Sequence, residues 1–187
     1  LKLEQTSFNP SQSSKETLAT VYFKDSDGAY SDISSKMNLG LNPFHYGGGG
    51  ITSTLNDYLK ILKFMLKSLK SDTTRSFVPQ MFRNQIGNFG IPSLKSFNKG
   101  LASDYDINKN VEKSWGYGLI INNEPMAGKR PSGSGSWAGV LNTYFWVDPK
   151  NDMAGVFLTQ ILPCYTPTLL NAFESFEELA YKHLRRN

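Results

Sequence analysis

The chain has 187 residues, 39% hydrophobic and 13% aromatic, which suits a single folded domain over residues 1–187 and excludes a disordered chain. Its 20 Lys and Arg against 16 Asp and Glu leave a formal charge of +4, a mild excess that, without any nucleic-acid motif, argues against a nucleic-acid partner. Cys164 is the only cysteine, so no intrachain disulfide can form; the compartment stays open, a cytoplasmic one slightly favoured.

Residues 1–16 are polar and begin with Leu1, not Met, which points to a trimmed product; residues 1–12 lack the apolar core of a signal peptide. No apolar run reaches the roughly 18 residues of a membrane span. Residues 17–23 are rich in β-branched and aromatic side chains, Asp25-Ser-Asp-Gly28 is a turn signal, and residues 29–33 follow, so a hairpin is expected.

A loop over residues 35–46 leads to Gly47, Gly48, Gly49 and Gly50, a run that suits unusual dihedrals or very close packing. A helix follows. Thr54 and Asp57 have capping-box spacing, and Leu55, Tyr58, Leu59, Leu62, Met65, Leu66 and Leu69 share one face. Lys60, Lys63, Lys67 and Lys70 share another, read as solvated. Glycines before a helix raise the question of phosphate binding. However, no Gly-x-x-x-x-Gly-Lys-Ser/Thr occurs, and Gly133-x-Gly135-x-x-x-Gly139 misses the dinucleotide spacing by one residue.

Residues 71–114 contain Pro79, Pro92 and short apolar pieces, with a short helix expected near residues 78–84 and loops around it. Residues 115–121 read as one strand, with Asn122-Asn123 as its turn. Residues 143–147 and 153–159, joined by Asp148-Pro-Lys-Asn-Asp152, form the clearest hairpin. The last helix has Thr166 as N-cap and Pro167 in its first turn. Its apolar face is Leu169, Leu170, Phe173, Phe176, Leu179 and Ala180; Glu174, Glu177 and Glu178 lie on the wet side; Lys182, Arg185 and Arg186 suit its C-terminal dipole. The fold class is therefore α/β in the broad sense (α+β), an antiparallel sheet flanked by helices. Residues 50–114 form a mostly helical and loop subdomain, and residues 115–187 supply sheet strands and the closing helix.

The stretch from Pro131 to Asp148 runs from a Gly/Ser loop into a strand apolar on both faces, as expected of a sheet edge facing a pocket, although such loops often only connect strands. No metal or cofactor is expected, because only His45, His183 and Cys164 add ligands to the carboxylates and amides. His183 in the last helical turn suits the free carbonyls there. His45 would have to be the base of any Ser-His-Asp or Cys-His arrangement, and nothing around Pro43-Phe-His-Tyr46 supplies a nucleophile turn. Cys164 reads as a small buried hydrophobe.

The segment Asn42-Pro-Phe-His-Tyr-Gly-Gly-Gly-Gly-Ile-Thr-Ser-Thr-Leu-Asn-Asp-Tyr58, then Trp137-Ala-Gly-Val, Thr143-Tyr-Phe-Trp-Val-Asp-Pro149 and Leu158-Thr-Gln160 together resemble the serine β-lactamase superfamily, most closely its class C-like esterases and transesterases. The resemblance runs over nearly the whole chain and corresponds to the C-terminal half of such an enzyme. It implies acyl transfer through a covalent acyl-serine on a small-molecule ester, β-lactam or acyl thioester, and a β-lactamase, esterase or other serine hydrolase as the parent. In such enzymes Ser-x-x-Lys carries the nucleophile, Tyr-x-Asn moves protons, and a third motif lies on an edge strand. Here the third motif is Trp137-Ala138-Gly139, which the resemblance assigns to substrate binding, with the Val140 N–H in the oxyanion hole and Gly47 to Gly50 as structural support near the site. The first two motifs are missing: Ser96-Phe-Asn-Lys99 lies downstream of the glycines, and no Tyr-x-Asn occurs. No catalytic nucleophile is therefore assigned in this chain, which is expected to be inactive alone and to need an N-terminal half as partner. A non-catalytic binding or structural relative of the fold is the alternative.

Overall fold

The computed structural model describes residues 1–37, 44–45, 47–71 and 76–185. Among them the elements are α1 (Gln12–Lys15), β1 (Tyr22–Lys24), β2 (Tyr30–Asp32), α2 (Leu55–Lys70), α3 (Val78–Met81), β3 (Lys113–Trp115), β4 (Ile120–Asn122), β5 (Gly135–Gly139), β6 (Thr143–Asp148), β7 (Met153–Phe157), β8 (Ile161–Leu162) and α4 (Pro167–Leu184). Asn42, Pro43, Tyr46 and Arg186 lie outside the described residues.

Strands β3 to β7 form a five-stranded antiparallel sheet in chain order. Side chains alternate across it with the period of two that a pleated strand imposes. On one face Phe145, Val147, Ala154 and Val156 meet Leu62, Met65 and Leu66 of α2; on the other Tyr144, Trp146 and Phe157 meet Phe173 and Tyr181 of α4. The result is an α/β/α sandwich, which bears out the expected antiparallel sheet flanked by helices. A separate sheet has the order β2-β1-β8, where β1 and β2 form the expected hairpin and β1 runs parallel to β8.

Both long helices begin where local chemistry dictates. The Thr54 side chain accepts the Asp57 N–H, capping α2, and α4 opens with Thr166 at the N-cap and Pro167 behind it. The lysines of α2 are exposed as expected, Lys60 pairing with Asp57 and Lys70 with Asp152.

Three expectations are corrected. Residues 115–121 are not one strand: the Gly116 N–H bonds Leu119 O and Gly118 adopts φ +73°, so the chain turns between β3 and β4, and Asn122 lies within β4 instead of turning. Glu177 is not on the wet side of α4; it is 1% exposed and paired with Arg130, since an ion-pair partner lets a carboxylate enter the core. Leu179, assigned to the buried face, is 65% exposed, and Phe176 is 39% exposed, because Glu177 takes the inward position beside Phe173 and Tyr181.

Candidate active-site wall

Strand β5 is central by sheet order, yet its β4 partner pairs only with Gly135 and Ser136. Among the described residues, Trp137, Ala138 and Gly139 pair with a strand on the β6 side alone. The sheet therefore opens an edge at the third motif, although the strand as a whole is not an edge strand.

The motif side chains divide between the two faces. Trp137 stands opposite Phe145 on the α2 side, its ring 4.6 Å from that of Trp115 at an interplanar angle of 83°, an edge-to-face arrangement favoured by the ring quadrupoles. Ala138 packs on the other side with Tyr144, Trp146 and Phe173. Its methyl group thus lies on the sheet face opposite the Trp137 ring.

At the end of β5 the chain turns over residues 139–142. Gly139 O accepts the Asn142 N–H at 3.0 Å and lies 3.5 Å from Cys164 Sγ, while Leu141 O accepts the Ile161 N–H at 3.3 Å. The Thr159 hydroxyl is shared between Leu141 O at 2.7 Å and Asn142 O at 3.0 Å. Asn142 is fully buried with φ +60°, a conformation that asparagine tolerates better than most residues. Its Nδ2 donates to Ile161 O at 2.7 Å and Pro163 O at 2.9 Å, and its Oδ1 accepts from Tyr144 Oη at 2.7 Å and the Tyr165 N–H at 2.8 Å. The carbonyls of Gly139, Leu141 and Asn142 are thereby held, whereas the N–H groups of Val140 and Leu141 donate to nothing among the described residues. Val140 itself is 53% exposed.

The other candidates sit elsewhere. Gly47 to Gly50 form a turn in which Gly50 adopts φ +88°, and the following residue pair bonds the N-terminal segment through Thr52 and Ser7 at 3.0 Å in both directions. Ser96 donates to Asn98 O at 2.9 Å, while Lys99 pairs with Asp104 and draws that carboxyl down to about 2. Ser96 and Lys99 are thus each engaged with a different partner. His45 stacks on Phe8 at 4.4 Å and lies 3.3 Å from Asn9 Nδ2. Cys164 is buried, as expected, and burial pushes its thiol pKa up, against a thiolate nucleophile. No group of three or more metal-ligating side chains occurs among the described residues.

Two hollows adjoin this region. One of about 20 Å³ touches Trp137 and Ala138, room for about one water and no acyl group. A cleft of about 460 Å³ lies against α4, where Asp104, Asp106, Glu174 and Glu177 are each paired with a lysine or arginine. Sequence reasoning missed the Asn142 and Thr159 anchors; the only local signal was Asn142-Thr143 between two strand-like runs.

A family model described as Beta-lactamase matches residues 1–168. Two curated relatives from Mycobacterium tuberculosis, "Uncharacterized protein MT1414" of strain CDC 1551 / Oshkosh and "Protein Rv1367c" of strain ATCC 25618 / H37Rv, are each 24% identical over 169 residues, covering 86% of this chain and 40% of theirs. Among solved structures, simvastatin synthase (LovD) from Aspergillus terreus superimposes with a TM-score of 0.74, at 19% identity for a mutant and 20% for the unliganded selenomethionyl form. Each covers 97% of this chain and 46% of the solved one. The chain therefore spans less than half the length of these relatives. No helix among the described residues is long and apolar enough to cross a membrane.

Proposed function

The chain belongs to the Beta-lactamase family and covers the C-terminal half of its fold, and from that premise we propose that it forms one wall of a serine acyl-transfer site, completed by an N-terminal half. The clamped turn at the end of β5, with its unpaired Val140 N–H, carries this reading. In the complete site a serine hydroxyl from the partner half adds to the carbonyl carbon of an ester or lactam. The carbonyl oxygen becomes an oxyanion, and the Val140 N–H is one of its donors. The tetrahedral intermediate then expels the alcohol or amine with the serine proton, and water or a second alcohol takes the acyl group from the acyl-serine while its proton returns to the serine oxygen. Trp137 and Gly139 line the acyl site. Ala138, facing the α4 core, shapes the strand from behind.

One donor of this kind contributes roughly 3 to 4 kcal/mol to transition-state stabilisation. It cannot accelerate a reaction that lacks an attacking group, so the chain alone is inactive. An esterase or transesterase is favoured over a β-lactamase proper, because Trp137 stands where a cation would hold a substrate carboxylate. No cofactor or metal enters this reaction.

The test compares this chain with a longer product that includes the residues encoded upstream of Leu1, both treated with a fluorophosphonate probe and weighed intact. The longer protein is expected to take one adduct on a Ser-x-x-Lys serine, and this chain none. Absence of an adduct on the longer protein would favour the non-catalytic binding or structural reading, and an adduct on Ser96 would overturn the present one.

A further inference from the structure

We infer that Asn142 and Thr159 are positioning residues for the acyl-transfer step: together they hold the turn that presents the Val140 N–H. This inference rests on the reading of Val140 proposed above and extends it to side chains that touch no substrate.

A backbone donor stabilises an oxyanion only if it is already aimed where the charge develops, because reorienting it during the reaction would cancel the gain. A four-residue turn at a sheet end is ordinarily free to rock. This one is not. Asn142 sends its two amide hydrogens to Ile161 O and Pro163 O, and receives the Tyr144 hydroxyl and the Tyr165 N–H on its oxygen, all within 2.7 to 2.9 Å. The side chain is thus saturated and fully buried, and every partner except Tyr144 belongs to residues 161–165. Thr159 holds the same turn through the carbonyls of Leu141 and Asn142. The segment leaving β7 therefore acts as a brace behind the turn, leaving the N–H groups of Val140 and Leu141 unpaired on it.

A purely structural role would make these residues contribute to stability without affecting the chemical step. The two roles separate in the full-length protein through Asn142→Gly, which keeps the left-handed backbone accessible while deleting all four side-chain bonds, and Thr159→Val, a milder change that removes one hydroxyl. Hydrolysis of p-nitrophenyl acetate is measured at steady state, and rates are expressed per folded molecule from near-UV circular dichroism and thermal melts.

The expected result is a fall in kcat of about 10- to 100-fold for Asn142→Gly, the size associated with a displaced catalytic geometry. A smaller fall is expected for Thr159→Val, with KM changed less than about threefold in both. Binding of a trifluoromethyl ketone, which forms an oxyanion on the serine, should weaken in parallel with kcat. Unchanged kcat per folded molecule in both Asn142→Gly and Thr159→Val would overturn the inference while leaving the assignment of Val140 standing. A wild-type full-length protein that neither hydrolyses the ester nor takes the fluorophosphonate would overturn both. Should Asn142→Gly fail to fold, Thr159→Val decides the matter, and an unchanged kcat per folded molecule in that variant would overturn the inference.

Discussion

Arg130 Nε lies 2.8 Å from Glu177 Oε1, and Arg130 Nη2 donates to Glu177 Oε2 at 3.2 Å, with the two residues only 2% and 1% exposed. This sealed pair ties the loop before β5 to the middle of α4. Removing one charge would leave the other buried without its partner, which typically costs about 3 to 5 kcal/mol. Glu177→Ala and Arg130→Ala should each lower the unfolding free energy, read from urea denaturation, by that order. The double variant Arg130→Met/Glu177→Leu should recover most of the loss, since an apolar pair avoids the desolvation that the ions undergo. A double variant no better than the worse single one would mean that the pair itself is net stabilising.

Asp57 gathers the N-terminal segment. Its Oδ2 accepts the Gln5 N–H at 2.8 Å and the Thr6 hydroxyl at 3.1 Å, and its Oδ1 accepts from Lys60 Nζ at 2.8 Å. The hydrogen bond from Lys60, then that from Gln5, hold its pKa below the usual carboxylate value. A lowered folded pKa gives stability that is fully present above the unfolded value of about 3.9 and is lost as pH falls through the folded one. Limited proteolysis should therefore reach residues 2–9 faster as pH drops below about 4, while the sheet stays protected. Asp57→Asn should cause the same opening at neutral pH. Equal protection of this segment in wild type and variant would remove Asp57 from this role.

Helices α2 and α4 and the β6–β7 hairpin were legible because their signals are local: Thr54 caps Asp57 three residues on, apolar residues recur at helical spacing, and Asp148 to Asp152 supply a turn. What the sequence concealed depends on partners far along the chain. Glu177 reads as solvated until Arg130, 47 positions away, is brought beside it. Gly116 and Gly118 break an otherwise plausible strand; a Cβ at Gly116 would lie 1.8 Å from the Met81 carbonyl oxygen, a contact no pattern announces. The same limit applied at the site. Trp137, Ala138, Gly139 and Val140 could be picked out by family resemblance, yet the opposite facing of Trp137 and Ala138 and the bracing of the turn by Thr159 arise only when β5, β6 and residues 159–165 come together.

Gly155 marks another such contact. It lies on β7 opposite Trp146, and a Cβ there would fall 2.1 Å from the indole ring. The ring is fully buried between the sheet and α4, near Phe173, Phe176 and Tyr181, so it has nowhere to retreat. Gly155→Ala should destabilise the fold by about 3 kcal/mol or more, at the upper end of overpacking costs. Pairing it with Trp146→Phe should restore part of the loss. The check is the unfolding free energy of each variant from urea denaturation, with a loss below about 0.5 kcal/mol for Gly155→Ala counting against this packing.

Alkaline pH should act through the buried and half-buried tyrosines on both faces of the sheet. Burial pushes Tyr58 and Tyr105 up to about 12, and pushes Tyr144 and Tyr181 higher still; Tyr181 also donates to Asp148 Oδ2 at 2.8 Å, a bond that favours its neutral form. A folded pKa raised above the unfolded value of about 10 gives stability that is fully present below pH 10 and is lost as pH rises through the folded values. Tyrosinate absorbance at 295 nm, followed together with near-UV circular dichroism, should therefore display a late ionising fraction above about pH 10 that appears as tertiary structure collapses. Tyr181→Phe removes one of these groups and its bond to Asp148. It should lower stability at neutral pH by about 1 kcal/mol, the usual net loss of one hydrogen bond, and make the alkaline decline less steep. A decline of unchanged steepness would show that Tyr181 does not contribute to it.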